Sequence, residues 1–215
     1  MIKNIDSIIF DLDGTLWDAR ENVCASWNVV LAERWPELGK LTTEQFSAQM
    51  GKLMPDIGRS LFPQLTPEQS DAVVDACGLF ENDYVAEHGG VLYENIGQTL
   101  AQLSEKYRLF VVSNCQSGYI EAFFKAHGLG KYFTDIECFG NTLLTKAENI
   151  RLVVERHDLK APVYVGDTAL DGKSAAEAGV PFIWAAYGYG QAEGYVGRID
   201  IPAQLIGVCD ELTAK

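Results

Sequence analysis

The stretch Ser7-Ile8-Ile9-Phe10-Asp11-Leu12-Asp13-Gly14-Thr15 frames the reading of the whole chain. Its first four residues form a short apolar run without clean alternation, as expected of a strand covered on both faces. Two carboxylates follow at a spacing of two. They leave the strand end pointing the same way, toward the crevice at the carboxyl edge of a sheet. Like charges that close are costly unless a cation sits between them or one carboxyl stays protonated. Asp-Gly is also a common turn pair, so the spacing alone leaves a plain turn open. An EF-hand calcium loop begins Asp-x-Asp-Gly too, but its fifth and twelfth positions would be Thr15 and Asn22, and the required ligands are missing.

Outward from this stretch, similar runs recur at Leu109–Val112, Pro162–Val165 and Pro181–Trp184, with a weaker one at Asp135–Phe139. Helical patterns separate them. Ile96, Leu100, Leu103 and Tyr107 recur at helical spacing, and Ser117 is placed to cap a helix carrying Ile120, Phe123 and Phe124 that Gly128 closes. Thr145-Lys146-Ala147-Glu148 reads as a capping box ahead of Ile150, Val153, Val154 and His157, and Leu170–Ala178 as a short helix ending at Gly179. Strands alternating with helices predict an α/β protein with a Rossmann-like, doubly wound parallel sheet. The stretch from about 19 to 88 breaks the rhythm: Val23, Trp27, Val30 and Leu31 suggest one helix, and Thr66-Pro67-Glu68-Gln69 opens another through Val73, Val74, Cys77 and Tyr84. The expected organisation is a core of 1–17 and 89–215 with an all-helical cap at 18–88, and Gly89-Gly90 as the return hinge.

The composition narrows the partners. Thirty Asp and Glu against 17 Lys and Arg give a net charge of −13 over 215 residues. Such a surface repels phosphate backbones and anionic lipid, so neither nucleic acid nor membrane is an expected partner, while a local cation still permits a small anionic substrate. Five scattered cysteines with no CxxC pair, no apolar run near the ~18 residues of a membrane span, and Asp6 interrupting any leader-like segment point to a cytoplasmic protein with reduced thiols. Oligomeric state is not legible.

Gly166-Asp167-Thr168-Ala169-Leu170-Asp171 follows the Pro162–Val165 run as the first acids follow theirs. Asp167 or Thr168 would also serve as a helix N-cap. Two strand ends that both carry carboxylates suggest a hard cation such as Mg²⁺. Ser113-Asn114 ends another strand with a hydroxyl and backbone amides, and Lys146 adds its charge to the positive end of the Thr145-capped helix, so an anion has somewhere to bind.

Asp11-Leu12-Asp13-Gly14-Thr15, Ser113, Lys146 and Gly166-Asp167 with Asp171 together resemble the four ordered motifs of the haloacid dehalogenase superfamily, over nearly the whole chain. The helical insertion stands where that superfamily's C1-type cap stands, and the phosphoglycolate phosphatase-like branch is the most similar. That branch often has prolines after the third-motif lysine, whereas Lys146 leads into Ala147-Glu148-Asn149-Ile150. The resemblance implies a phosphatase acting on a small phosphorylated metabolite. Asp11 would be the nucleophile, forming an aspartyl-phosphate, and Asp13 the general acid and base. Asp11, the Asp13 carbonyl and Asp167 would hold Mg²⁺, with Asp171 a ligand or a residue behind one. Thr15, Ser113, Asn114 and Lys146 would bind the phosphoryl oxygens. Asp13 argues against dehalogenase and phosphonate-cleaving relatives, and Thr15 favours a phosphatase over the alternative, a phosphomutase of the β-phosphoglucomutase type. A non-enzymatic binding module on the same scaffold is a third reading, disfavoured by the intact motifs.

In the cap, Asn22, Trp27, Gly51, Lys52 and Arg59 are candidates to reach the site, Lys52 first as a possible substrate contact. Trp17 is expected to pack at the exit from the first motif. His88, His127 and His157 are expected at the surface or at helix ends, and Cys115 as a small buried residue. Gly188-Tyr189-Gly190 with Gly194 misses the GxGxxG spacing of a dinucleotide site.

Overall fold

From the amino end, β1 (Ser7–Phe10) leads to the two-residue β2 (Trp17–Asp18) and then to α1 (Arg20–Arg34), α2 (Thr43–Ser47), α3 (Met54–Leu61) and α4 (Pro67–His88). A second short strand, β3 (Val91–Leu92), precedes α5 (Ile96–Ser104), β4 (Arg108–Ser113), α6 (Tyr119–His127) and β5 (Phe133–Cys138). Then come α7 (Phe139–Thr142), α8 (Lys146–Arg156), β6 (Pro162–Gly166), α9 (Ala169–Ala178), β7 (Phe182–Ala185), β8 (Gly197–Ile199) and α10 (Gln204–Ala214). This computed structural model describes residues 4–214; residues 1–3 and 215, at the outer limits of the expected segments 1–17 and 89–215, lie outside the described residues.

Six strands form one sheet in the order β5-β4-β1-β6-β7-β8, every pairing parallel. The absence of alternation in β1 has a direct cause. Ile8 and Phe10 pack into one apolar cluster with Val111 and Val165, while Ile9 packs on the other face with Phe110, Val112 and Tyr164. A strand buried on both faces needs apolar side chains at every position. The chain moves outward from β1 through β4 to β5, then returns to β6 on the other side of β1. That reversal opens a crevice at the carboxyl ends of β1, β4 and β6, where an open α/β sheet binds its ligands.

Helix ends follow the sequence signals in most places. Thr66, Thr145 and Thr168 each make a capping box, with Gln69, Glu148 and Asp171 respectively. Gly128 and Gly179 close α6 and α9 in left-handed conformations. Ser117 does not cap α6 as expected. Gly118 precedes that helix without a side-chain cap, and the Ser117 carbonyl instead accepts a hydrogen bond from Asn82 Nδ2 of α4 at 2.8 Å. Tyr107 falls beyond the end of α5, and Phe139 opens α7 instead of ending β5. The strands β2, β3 and β8, of two or three residues, are too short to show a period.

Among the described residues, 20–88 holds helices and no strand. Val23, Trp27, Val30 and Leu31 line the buried side of α1, and Trp27 meets Phe46 edge-on with ring centroids 4.9 Å apart. Where the chain leaves the sheet and where it returns, Trp17 pairs antiparallel with Leu92 and Asp18 with Val91, so both crossings run side by side. Trp17 is fully buried against Tyr119, Phe123 and His127, as its expected packing role requires. Among the described residues no helix is long and apolar enough to cross a membrane.

Candidate active site

Asp11 leaves the end of β1, and Asp167 and Asp171 flank the turn from β6 into α9. One carboxylate oxygen from each lies within 4.8 Å of the others, and all three residues are buried. Lys146, at the first position of α8, sends its buried ammonium to Asp11 Oδ1 at 2.9 Å and Asp171 Oδ1 at 2.7 Å. Three acids against one lysine leave surplus negative charge in a low-dielectric place, which protons or a metal must balance. Burial and the neighbouring Asp171 push the Asp11 carboxyl up to about 6 despite Lys146. Burial, with Asp171 and Asp11, pushes Asp167 up to about 8. Burial works against the charge of Lys146, yet Asp11 and Asp171 raise its proton affinity well above the ordinary lysine value.

The oxygens left over show which acids could hold a cation. Asp171 has none to spare: Oδ1 takes Lys146 and the Tyr164 hydroxyl, and Oδ2 takes the backbone N–H and hydroxyl of Thr168 at 2.9 and 2.6 Å. Asp11 Oδ2 is not engaged by Lys146. Asp167 accepts a bond from the Tyr189 backbone N–H at 2.7 Å and a long one, 3.5 Å, from Thr15 Oγ1. The set of hard oxygen donors, with only one cation paired to it among the described residues, fits a divalent ion of the Mg²⁺ kind. Two glycines give Asp167 its place. A Cβ on Gly188 would stand 2.3 Å from Asp167 Cβ, and one on Gly14 would stand 2.4 Å from Asp167 Oδ2. The Gly188-Tyr189-Gly190 stretch therefore serves close packing and a backbone donor to Asp167, a need its spacing does not reveal.

Asp13 stands apart from that cluster. Its Oδ1 accepts Trp17 Nε1 at 2.9 Å and the Tyr119 hydroxyl at 3.1 Å, which fixes the carboxyl and leaves Oδ2 without a hydrogen bond among the described residues. Burial and the nearby Asp11 push its proton affinity up to about 7, against the Tyr119 and Trp17 bonds. A carboxyl balanced there can both give and take a proton near neutral pH.

Asp11, Asp13, Ser113, Asn114 and Lys146 line one cavity, whose opposite wall comes from the helical segment: Trp27, Phe46, Gln49, Gly51, Lys52 and Glu81. Thr15, Asp167 and Asp171 lie outside that lining: Asp167 and Asp171 cluster with Asp11, Asp171 also takes Lys146, and Thr15 reaches Asp167. Asn114 Nδ2 donates to the Gly51 carbonyl at 2.8 Å, tying strand end to helical segment, and its Oδ1 is buried with no donor among the described residues. Lys52 lines the cavity, held by Gln49 Oε1 at 2.9 Å. Asn22 and Arg59 do not line it. Asn22 bonds the Gly89 carbonyl at the return crossing, and Arg59 makes an exposed pair with Asp71. Cys115 lines the cavity, but burial and Cys138 hold its thiol well above the ordinary range, which suits an inert residue.

Tyr119, Glu81 and Tyr189 escaped the sequence reading. Glu81 left one trace: on α4 it stands four residues from both Cys77 and Val85, inside the buried stripe. Its carboxylate accepts bonds from Trp27 Nε1 and from Gln116 Nε2, the latter at 3.1 Å, and burial pushes it up to about 7 despite them.

The family model described as haloacid dehalogenase-like hydrolase matches residues 8–185. A phosphoglycolate phosphatase of Vibrio parahaemolyticus is 28% identical over 204 residues, covering 89% of this chain and 88% of that protein. A plasmid phosphoglycolate phosphatase of Cupriavidus necator is 30% identical over 193 residues, covering 85% and 81%. In fold, a haloacid dehalogenase-like hydrolase from Bacteroides fragilis superposes with a TM-score of 0.81 at 21% identity, covering 94% of this chain and 99% of the other.

Proposed function

The chain belongs to the haloacid dehalogenase-like hydrolases, and from that premise we propose that it is a Mg²⁺-dependent phosphatase acting on a small phosphomonoester, of the phosphoglycolate or sugar phosphate class. The carrying observation is Asp13: its carboxyl is clamped at Oδ1 by Trp17 and Tyr119 and open at Oδ2, beside the buried Asp11. A dehalogenase has no use for such a group, whereas ester hydrolysis needs a proton for its leaving alkoxide.

In this reading residues 1–17 and 89–215 form the catalytic core, and 18–88 a cap closing the cavity. Asp11 Oδ2 attacks phosphorus to form an aspartyl-phosphate, and the alkoxide leaves with the proton of Asp13 Oδ2. Asp13, now ionised, takes a proton from the water that attacks the aspartyl-phosphate. Lys146 keeps its charge throughout, facing the phosphoryl oxygens while it steadies Asp11. Ser113 contributes its hydroxyl, Thr15 contributes its own only by turning it from Asp167, and Asn114, whose side-chain nitrogen is committed to Gly51, contributes its backbone N–H. The residues suited to hold Mg²⁺ are Asp11, Asp167 and the main-chain carbonyl of Asp13, while Asp171, with both oxygens used, orients Lys146. Bound there, Mg²⁺ supplies charge neutralisation for the phosphoryl group. The five unpaired thiols support a cytoplasmic setting.

The test is phosphate release from a panel of small phosphomonoesters with Mg²⁺ near neutral pH. Release that EDTA abolishes is expected. A panel without turnover overturns the reading.

A further inference from the structure

The mechanism above makes no use of Glu81, although it is buried in the wall facing the reacting groups. Only 4% of its surface is exposed, and it lines the same cavity as Asp11, Asp13 and Lys146. Among the described residues no lysine or arginine pairs with it; its partners are an indole N–H and a side-chain amide, one on each oxygen. A carboxylate oxygen accepts two hydrogen bonds, so acceptor capacity remains on both. The carbonyl oxygen of Asn114, on the sheet side of this cavity, is likewise buried without a donor. Both residues line a cavity whose helical wall combines the apolar Trp27, Phe46 and Ile57 with the polar Gln49 and Lys52. With the phosphoryl group held at Asp11 and Lys146, the alcohol portion of the ester must point into this space.

We infer that Glu81 is a specificity-determining residue that accepts a hydrogen bond from a hydroxyl on the alcohol portion of the substrate, selecting polyol or sugar phosphomonoesters over esters whose alcohol portion carries a carboxylate. The inference rests on the phosphatase reading. An ester without a donor would leave the acceptor unsatisfied, and a second anion could stand against Glu81 only while that carboxyl holds its proton. Lys52 lines the same cavity but is held by Gln49 on the loop between α2 and α3, and its partner there is a neutral amide.

The test compares kcat/KM for glycerol 1-phosphate and for phosphoglycolate, with Mg²⁺, in the wild type and in Glu81→Gln, with Glu81→Asp as a second variant should the first fail to fold. The ratio of the two constants is the readout, so a general loss of activity cancels. The variant is expected to lower the glycerol 1-phosphate to phosphoglycolate ratio about tenfold or more, mostly through KM, which is the effect of one charge-assisted hydrogen bond. A purely structural Glu81, buttressing Trp27, would depress both esters alike. A ratio within threefold of wild type in an active enzyme overturns this inference alone. A wild type that releases phosphate from no phosphomonoester overturns the phosphatase reading, and this inference with it.

Discussion

On the sheet side of the cavity, the Lys146 ammonium touches two of three clustered carboxylates; on the helical side, Glu81 is buried with an indole and an amide and, among the described residues, no cation. On the sheet side both oxygens of Asp167 and Asp171 have donors, while Asp11 and Asp13 each keep one oxygen turned to the chemistry. The helical side is mostly apolar, with one acid and one lysine that do not pair with each other. The difference separates two tasks. Charge that must be aimed at phosphorus needs a rigid surround, and strand ends supply it. On the proposed reading, discrimination between alcohols needs a few polar groups set in a largely apolar wall, and helix faces supply those.

Three measurements break or sharpen this contrast. The largest effect is expected on the sheet side: Asp11→Asn should lower kcat at least ~10³-fold, as removal of a covalent nucleophile does. Single-turnover assays would measure it, and activity retained in that variant breaks the assignment. Next, Gly188→Ala forces a Cβ into Asp167 and the Gly14 carbonyl. Displacing a metal ligand through its support typically costs about 10–100-fold in metal affinity, so the Mg²⁺ concentration for half-maximal activity should rise by that factor. An unchanged Mg²⁺ dependence would mean Asp167 is not a ligand.

The smallest effect belongs to the helical side and is read in stability. Burial raises Glu81 from 4.5 to about 7, so the folded state favours its protonated form. Its stabilising contribution is full below about pH 4.5 and lost as the pH rises through about 7. Glu81→Gln lacks this loss. Its stability relative to wild type should therefore grow between pH 5 and pH 8, by on the order of 2 kcal/mol. Guanidinium unfolding at a series of pH values checks it, and a difference that does not vary with pH would mean that Glu81 is well paired after all.

The two sides also differed in how far they could be read from residues alone. Asp11 and Asp13 follow directly on a strand, Lys146 sits inside a capping box, and Asp171 closes another with Thr168. Each position is fixed by neighbours a few residues away, so local patterns suffice. Glu81 owes its burial to Trp27 and to Gln116, partners 54 residues before it and 35 residues after it. In Leu79-Phe80-Glu81-Asn82-Asp83 it looks like any solvated helix acid, all the more because Leu79 is exposed. The same holds for Gly188, required by the bulk of Asp167 on a different turn. Asn22 and Arg59 failed for the opposite reason: a helix presents residues around its whole circumference, and which arc meets the cavity depends on packing that no periodicity specifies.

The paired crossings β2 and β3 carry a consequence for descent. Because Trp17 and Asp18 lie against Leu92 and Val91, residues 19–90 depart and return on adjacent rungs, and the sheet meets the same span whatever lies between. Closing a longer excursion between fixed ends costs only about 0.6 kcal/mol per doubling of its length. A lineage can therefore lengthen, shorten or exchange the insert while strand order and carboxylate geometry stay put. Chemistry and clientele are then inherited as separate parts.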